Sequence, residues 1–213
     1  MGTPSSSPSQ SISSSTSSSA SATESASPSV ERDAEQVVTL AEAKLRLRVT
    51  NTNEDALIDS YIDAATEWAQ VYQGRKYLTQ TCVDYFDSWP SAIRPRWCPL
   101  IAVTSIQYID ESGVLQTLAA DQYDVDVDKQ PGRIVPAYDC DWPSIRGDIN
   151  GIIVTYTAGY GSDEDDVPGY IRTAILLIVA HWYANREVVT DLSLAEIPYG
   201  AKTLLGLDRM GGV

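Results

Sequence analysis

Residues 53–74, Asn-Glu-Asp-Ala-Leu-Ile-Asp-Ser-Tyr-Ile-Asp-Ala-Ala-Thr-Glu-Trp-Ala-Gln-Val-Tyr-Gln-Gly, decide the fold class. Leu57, Tyr61, Ala65, Trp68 and Tyr72 recur at spacings of four, four, three and four, the period of one helix face. Asn53 is a candidate N-cap, Glu54 and Asp55 complement the helix dipole, and Gly74 is a stop. A helix over 54–73 follows. Upstream, Thr39 with Glu42 three residues later fits a capping box and predicts a short helix over 40–47.

Downstream the period changes. Over 80–157 the chain reads as strands: Ile101 to Tyr108, Leu115 to Leu118, Tyr123 to Val127, Arg133 to Val135 and Gly151 to Thr157. In the first of these, Ile101, Val103 and Ser105 are placed on one face and Thr104, Ile106 and Tyr108 on the other. The Trp89-Pro90 and Trp142-Pro143 pairs punctuate long loops. Strands in succession with no helix between them favour antiparallel pairing.

A helical period returns after the acidic run Asp163 to Asp166. Pro168 suits a first helical turn, and Ile171, Ile175, Ile178 and Trp182 mark one face of a helix over 169–187. Ala174, Leu177 and His181 mark an adjacent face, so this helix is expected to be buried on more than one side. Ile197-Pro198 breaks the chain, and a short helix over 201–207 follows. The predicted class is α+β: a small helical bundle of two N-terminal helices, one long and one short C-terminal helix, with an inserted antiparallel β region.

Residues 1–30 are half serine, and Glu24 is their one charged residue. With almost no apolar side chains, nothing offsets the entropy of ordering them. The expected organisation is a disordered tail over 1–36, one domain over 37–207 and a flexible end over 208–213. The 15 basic and 29 acidic residues give a net charge of -14. Without Glu24 the remainder holds 15 against 28, a net of -13. Such a body repels nucleic acid and anionic membrane at long range. The longest apolar run, Ala174 to Ala180, is too short to span a bilayer, and no basic region followed by an apolar stretch marks a secretory signal.

Little catalytic chemistry is spelled out. Cys82, Cys98 and Cys140 are odd in number and form no C-x-x-C pair, which argues against a disulfide framework, a thiolate metal site or any cofactor held by them. Asp124, Asp126 and Asp128 begin like a calcium loop. However, Lys129 stands where that loop needs glycine and Val135 where it needs glutamate, so a solvated strand face is the simpler reading. Asp163 to Asp166 suit a helix N-terminus better than a cation. The lone histidine, His181, has no Gly-x-Ser-x-Gly partner motif and reads as a packed or interface residue. Gly159-x-Gly161 lacks the remaining glycine of a dinucleotide fingerprint.

Several stretches recur in the order and spacing of one family. They are Val38-Thr39-Leu40-Ala41-Glu42-Ala43-Lys44, Glu54-Asp55-Ala56-Leu57-Ile58, Tyr72-Gln73-Gly74-Arg75 and Thr79-Gln80-Thr81. Then come Val103-Thr104-Ser105-Ile106, Pro131-Gly132-Arg133-Ile134, Ala158-Gly159-Tyr160-Gly161, Val167-Pro168 and finally His181-Trp182-Tyr183-Ala184-Asn185-Arg186-Glu187. Over 37–207 the chain resembles the head–tail connector (adaptor, head-completion) proteins of tailed phages. The resemblance implies a non-enzymatic virion subunit of a homo-oligomeric ring, dodecameric like the portal. It implies portal protein on one side, a tail-side connector or stopper on the other, DNA passing through without specific binding, and no membrane. It also implies a C-terminal region that engages the portal.

Two groups are candidate interface residues. One is His181, Trp182, Tyr183, Asn185, Arg186 and Glu187 at the end of the long helix. Arg186 is a candidate to pair with a carboxylate across a subunit boundary or within its own domain. The other is Ile197, Tyr199, Leu204, Leu205 and Leu207. These are apolar without a clean period, next to a helix too short to stand alone, as in a segment that orders on docking. Alternatively, Leu204, Leu205 and Leu207 complete the subunit's own core. Two other functions compete: a DNA-packaging accessory protein, which needs a basic face, and a secreted binding module with a Ser-rich linker, which needs a signal.

Overall fold

The computed structural model describes residues 36–185 and 197–209, and the description below is of these residues. Helix α1 spans Leu40–Leu47 and opens with the predicted box. Glu42 N–H donates to Thr39 Oγ1 at 3.3 Å, and Thr39 N–H donates to Glu42 Oε2 at 3.2 Å. Helix α2 spans Asp55–Gln73 and stops at Gly74, whose φ of 71° is the left-handed value glycine tolerates. Its N-cap is Glu54, without a side-chain cap bond. Asn53 instead belongs to the preceding turn, its N–H donating to Asn51 Oδ1 at 3.1 Å.

The buried stripe of α2 is Ile58, Ile62, Ala65, Ala69 and Gln73, about one position beyond the predicted one. Leu57 is exposed, and Tyr61, Trp68 and Tyr72 are half-buried at the margin. The alanines let a neighbouring helix approach closely, and the amphipathic aromatics serve better at the rim, with their polar atoms toward water. Helix α3, Gly169–Ala184, is the centre of the helical layer and packs on α1, α2 and α4 (Tyr199–Gly206). Ile171, Ala174, Ile175, Ile178 and Val179 are all buried, as its wide apolar arc requires. Pro168 is its N-cap residue and not part of the first turn. Arg172 ties the layer together by pairing with Glu42 and with Asp165.

The β region forms a separate core. Strands β1 (Gln80–Phe86), β2 (Leu100–Ile109), β3 (Leu115–Thr117) and β6 (Ile152–Ala158) make an antiparallel sheet in the order β1-β6-β2-β3. Strands β4 (Tyr123–Asp126) and β5 (Arg133–Pro136) form a hairpin of their own. β6 alternates cleanly, with Ile152, Val154, Tyr156 and Ala158 buried against the hairpin and loop residues such as Ile93 and Ile134. β2 does not alternate simply, because its register against β6 shifts between Leu100 and Ala102 and again between Val103 and Ser105. Each irregularity changes which face the next residue takes. Leu100, Val103, Ile106 and Tyr108 therefore all join the core, and the faces predicted by alternation are corrected. The two Trp-Pro pairs brace the loops reciprocally. Trp89 and Trp142 stack at 4.6 Å and 4°, while Trp89 Nε1–H donates to Pro143 O and Trp142 Nε1–H to Pro90 O.

Helical layer and sheet meet along residues 74–79, which carry the chain from α2 into β1. Thr79 N–H donates to Gly161 O at 2.8 Å, Tyr160 N–H to Tyr77 O at 2.9 Å and Lys76 N–H to Cys98 O at 2.9 Å. Gly159 permits the crossing: its φ is +145°, and a Cβ there would lie 2.6 Å from backbone atoms of Leu78 and Thr79. Gly159→Ala is expected to cost about 3 kcal/mol, because neither the backbone angle nor the crossing segment can yield. Urea unfolding of the variant measures this; a cost under about 0.5 kcal/mol, the scale of an ordinary surface change, would contradict the crossing.

Candidate assembly interface

Arg75 follows the glycine stop of α2 and turns into the seam between the two cores, where it is 1% exposed. A guanidinium has five donors and keeps its charge, so it needs acceptors where water is excluded. They come from distant parts of the chain. Nε–H donates to Asp208 O at 2.8 Å, and Nη2 reaches Asp208 Oδ1 at 2.7 Å and Gln130 Oε1 at 2.6 Å. Asp208 Oδ2 also accepts from the Tyr160 hydroxyl at 3.1 Å and the Tyr170 hydroxyl at 3.2 Å. Burial pushes the hydroxyls of Tyr160 and Tyr170 up from the ordinary phenol range, so both stay protonated donors.

A second set of bonds fixes α4 beside this cluster. Tyr77 O–H donates to Gln73 Oε1 at 2.7 Å, and Gln73 Nε2–H donates to Leu205 O at 2.8 Å, all on buried residues. Burial raises the Tyr77 hydroxyl far above its usual range. Further out, Trp68 stacks on Tyr72 at 5.0 Å, and the Arg209 guanidinium lies 4.6 Å from the Tyr72 ring. The C-terminal helix is thus latched to the end of α2.

The latch alters the expectation for residues after 197. Leu205 and Ala201 are fully buried in the subunit's own helical core, Ile197 is buried and Leu204 is half-buried against the same core. A helix of eight residues is marginal alone, and here tertiary bonds hold it, so ordering does not wait for a partner. Tyr199 and Leu207 face outward at 86% and 71% exposure.

The α3 group packs largely inward. Trp182 meets Tyr61 edge-on at 6.2 Å, and the Tyr183 hydroxyl donates to the Glu54 carboxylate. His181 is half-buried, with Asn185 Nδ2–H donating to its backbone oxygen at 2.7 Å and lying 3.2 Å from its Nδ1. Arg186 and Glu187 lie outside the described residues. The predicted interface residues therefore form no single patch. Sequence reading missed Arg75, Asp208, Tyr160 and Tyr170. The partners of Arg75 lie up to 133 residues away, and only its place after Gly74 sets it apart in the sequence.

Among the described residues, no group of three or more His, Cys, Asp or Glu side chains could hold a metal ion. Asp165 pairs with Arg172, and Asp166 Oδ2 accepts from Asp163 N–H at 3.2 Å, so both serve local structure. Asp126 pairs with Arg133 across the hairpin. No helix among these residues is long and apolar enough to cross a membrane.

Removing Arg75 tests the latch. Arg75→Ala is expected to cost about 2–3 kcal/mol, below the 3–5 of a wholly buried pair, since the Asp208 side chain keeps 38% exposure. Denaturant unfolding measures it, and amide exchange at 199–206 should quicken more than at 171–179. Equal quickening in both segments would contradict a local latch.

Residues 37–107 match the model of the phage gp6-like head-tail connector proteins. No curated protein matches the chain. Solved structures with this fold include a chain in the neck of an empty gene transfer agent (GTA) particle computed with C6 symmetry. It has a TM-score of 0.66 and 23% identity, over 82% of this chain and 90% of that one. A chain in the virion of the native GTA particle matches with TM-score 0.65 and 21% identity, over 82% and 90%. One in the native neck computed with C12 symmetry matches with 0.64 and 22%, over 82% and 89%. The first third of the chain, from before α1 into β2, is thus similar to the phage gp6-like head-tail connector proteins, and the fold around Arg75 is the one these neck chains share.

Proposed function

We propose that this chain is the subunit of a ring, dodecameric where the portal is, that docks on the portal protein, receives a tail-side connector or stopper protein, and lets DNA pass. The observation that carries this reading is the shared fold, which extends over most of both chains, with neck proteins solved under six- and twelve-fold symmetry. The charge fits. A net of -14 per subunit disfavours lasting contact with phosphates in the passing genome. A DNA-packaging factor would need a basic face, which 15 basic against 29 acidic residues disfavour.

Within this reading the portal-facing element is the outer surface of α4 with Tyr199 and Leu207; Arg186 and Glu187, outside the described residues, stay candidates for the same contact from the sequence alone. His181, Trp182, Tyr183 and Asn185 are not assigned to that surface, since Trp182 and Tyr183 pack on Tyr61 and Glu54 near the start of α2. Large apolar side chains held exposed on an anchored helix suit a partner site better than a solvent face. The leader, expected over 1–36, is proposed to take no part in the fold before Gln36, whose Nε2–H donates to Asp59 Oδ1 on α2 at 2.8 Å.

The double variant Tyr199→Ala/Leu207→Ala tests the docking surface. Its melting temperature is expected to stay within about two degrees of the parent, as for exposed side chains. Its co-purification with the portal protein of the same particle is expected to fall at least tenfold, on the scale of a lost hot spot. Undiminished capture would exclude α4 as the portal contact, and failure of the parent chain to bind portal would contradict the ring reading.

A further inference from the structure

In the segment that crosses between the two cores, Arg75 and Tyr77 are buried, whereas Lys76 between them is only half-buried. Its Nζ lies 4.3 Å from the centre of the Trp97 ring. The exposed Arg96 brings its guanidinium to 5.3 Å from the centre of the same ring. Backbone bonds fix the two segments side by side: Lys76 N–H donates to Cys98 O at 2.9 Å, and Cys98 N–H to Gly74 O at 3.4 Å. Arg94, two residues earlier in the same loop, is also exposed.

Two cations gathered on one indole repel each other, and a neutral ring offsets that only in part. Among the described residues, no carboxylate lies within ion-pair distance of Lys76, Arg94 or Arg96. Asp84 is close by, but its Oδ2 accepts the Arg96 backbone N–H at 2.8 Å and the Tyr156 hydroxyl at 2.9 Å. It fixes the loop and leaves both cationic heads without a counter-ion. Lys44, Arg133, Arg146 and Arg172, by contrast, are each paired within the subunit. Arg46 and Arg48 have no such partner either, but the carbonyl end of α1 accounts for cations there.

The rest of the surface is rich in what this patch lacks. Glu67 on α2, Glu111 after β2, Asp124 on the hairpin, and Asp139 and Asp141 before β6 are exposed, with no ion pair among the described residues. A ring closes through unlike surfaces, so each copy meets a different face of its neighbour. On a chain of net charge -14 that face brings carboxylates, and a stable contact sets cations opposite them. Lys76 and Arg96 are already held in position to do so. DNA phosphate is the poorer match, because two or three cations release few counterions against so acidic a body.

We propose that the patch of Lys76, Trp97 and Arg96 is a subunit–subunit contact, and that its occupant is the carboxylate-bearing surface of a second copy of this chain. The proposal rests on the ring reading above.

The test uses the full-length chain in purified particles. A water-soluble carbodiimide joins an amine to a carboxylate only where the two touch. The expected product is a species of two copies of this chain, with Lys76 of one joined to an Asp or Glu of the other. Lys76→Arg keeps the charge, so it should enter particles normally and lose that species. Arg96→Glu should keep its melting temperature within about two degrees, as for an exposed side chain, and enter particles at least tenfold less. Lys76 joined only within its own chain, only to a different protein, or to nothing would overturn the assignment alone. So would undiminished entry of Arg96→Glu, including the case in which its particles retain less DNA, which would assign the patch to phosphate. Absence of the unsubstituted chain from tailed particles would overturn the ring reading, and this proposal with it.

Discussion

Arg75 brings a permanent positive charge into the seam between two hydrophobic cores, and much of the structure answers it. An unpaired guanidinium at 1% exposure would cost more than a small domain can bear. The acceptors come from the hairpin loop at Gln130 and from Asp208 beyond the last helix, and Tyr160 and Tyr170 hold the Asp208 carboxylate in place. The segment after α4 is thereby tied to the exit of α2. The backbone crossing at Gly159 depends on the same region, because residues 74–79 can enter the sheet only beside 159–161.

This arrangement bears on the docking proposed for α4. A C-terminal segment that ordered only on a partner would lose conformational entropy at the moment of binding, which weakens the contact. Here α4 is already in place, its inner side buried through Ala201 and Leu205 and its outer side offering Tyr199 and Leu207. Pre-organisation of this kind favours affinity without added contact area.

What was legible in the sequence is what depends on local chemistry. The capping box of α1, the glycine stop of α2 and the apolar arc of α3 all rest on residues within a turn or two of one another, and the structure bears them out. The order of helices and antiparallel strands was readable for the same reason. The β2 faces were not, because two register shifts against β6 depend on pairing that a single strand does not encode. β1 was not separately legible, because Gln80-Thr-Cys-Val-Asp-Tyr-Phe mixes polar and apolar residues on both faces. Leu205 and Leu207 look alike in sequence, yet one is core and the other surface. Only the long-range bonds from Gln73 and Arg75 decide between them.

The central claim is that this chain forms a ring at the junction of head and tail. Single-particle reconstruction of the neck of particles that carry it is the most direct test. The account predicts a closed ring of copies, each fitting this fold, lying against the tail side of the portal with α4 toward the portal. A neck without the chain, or copies scattered without rotational symmetry, would contradict it.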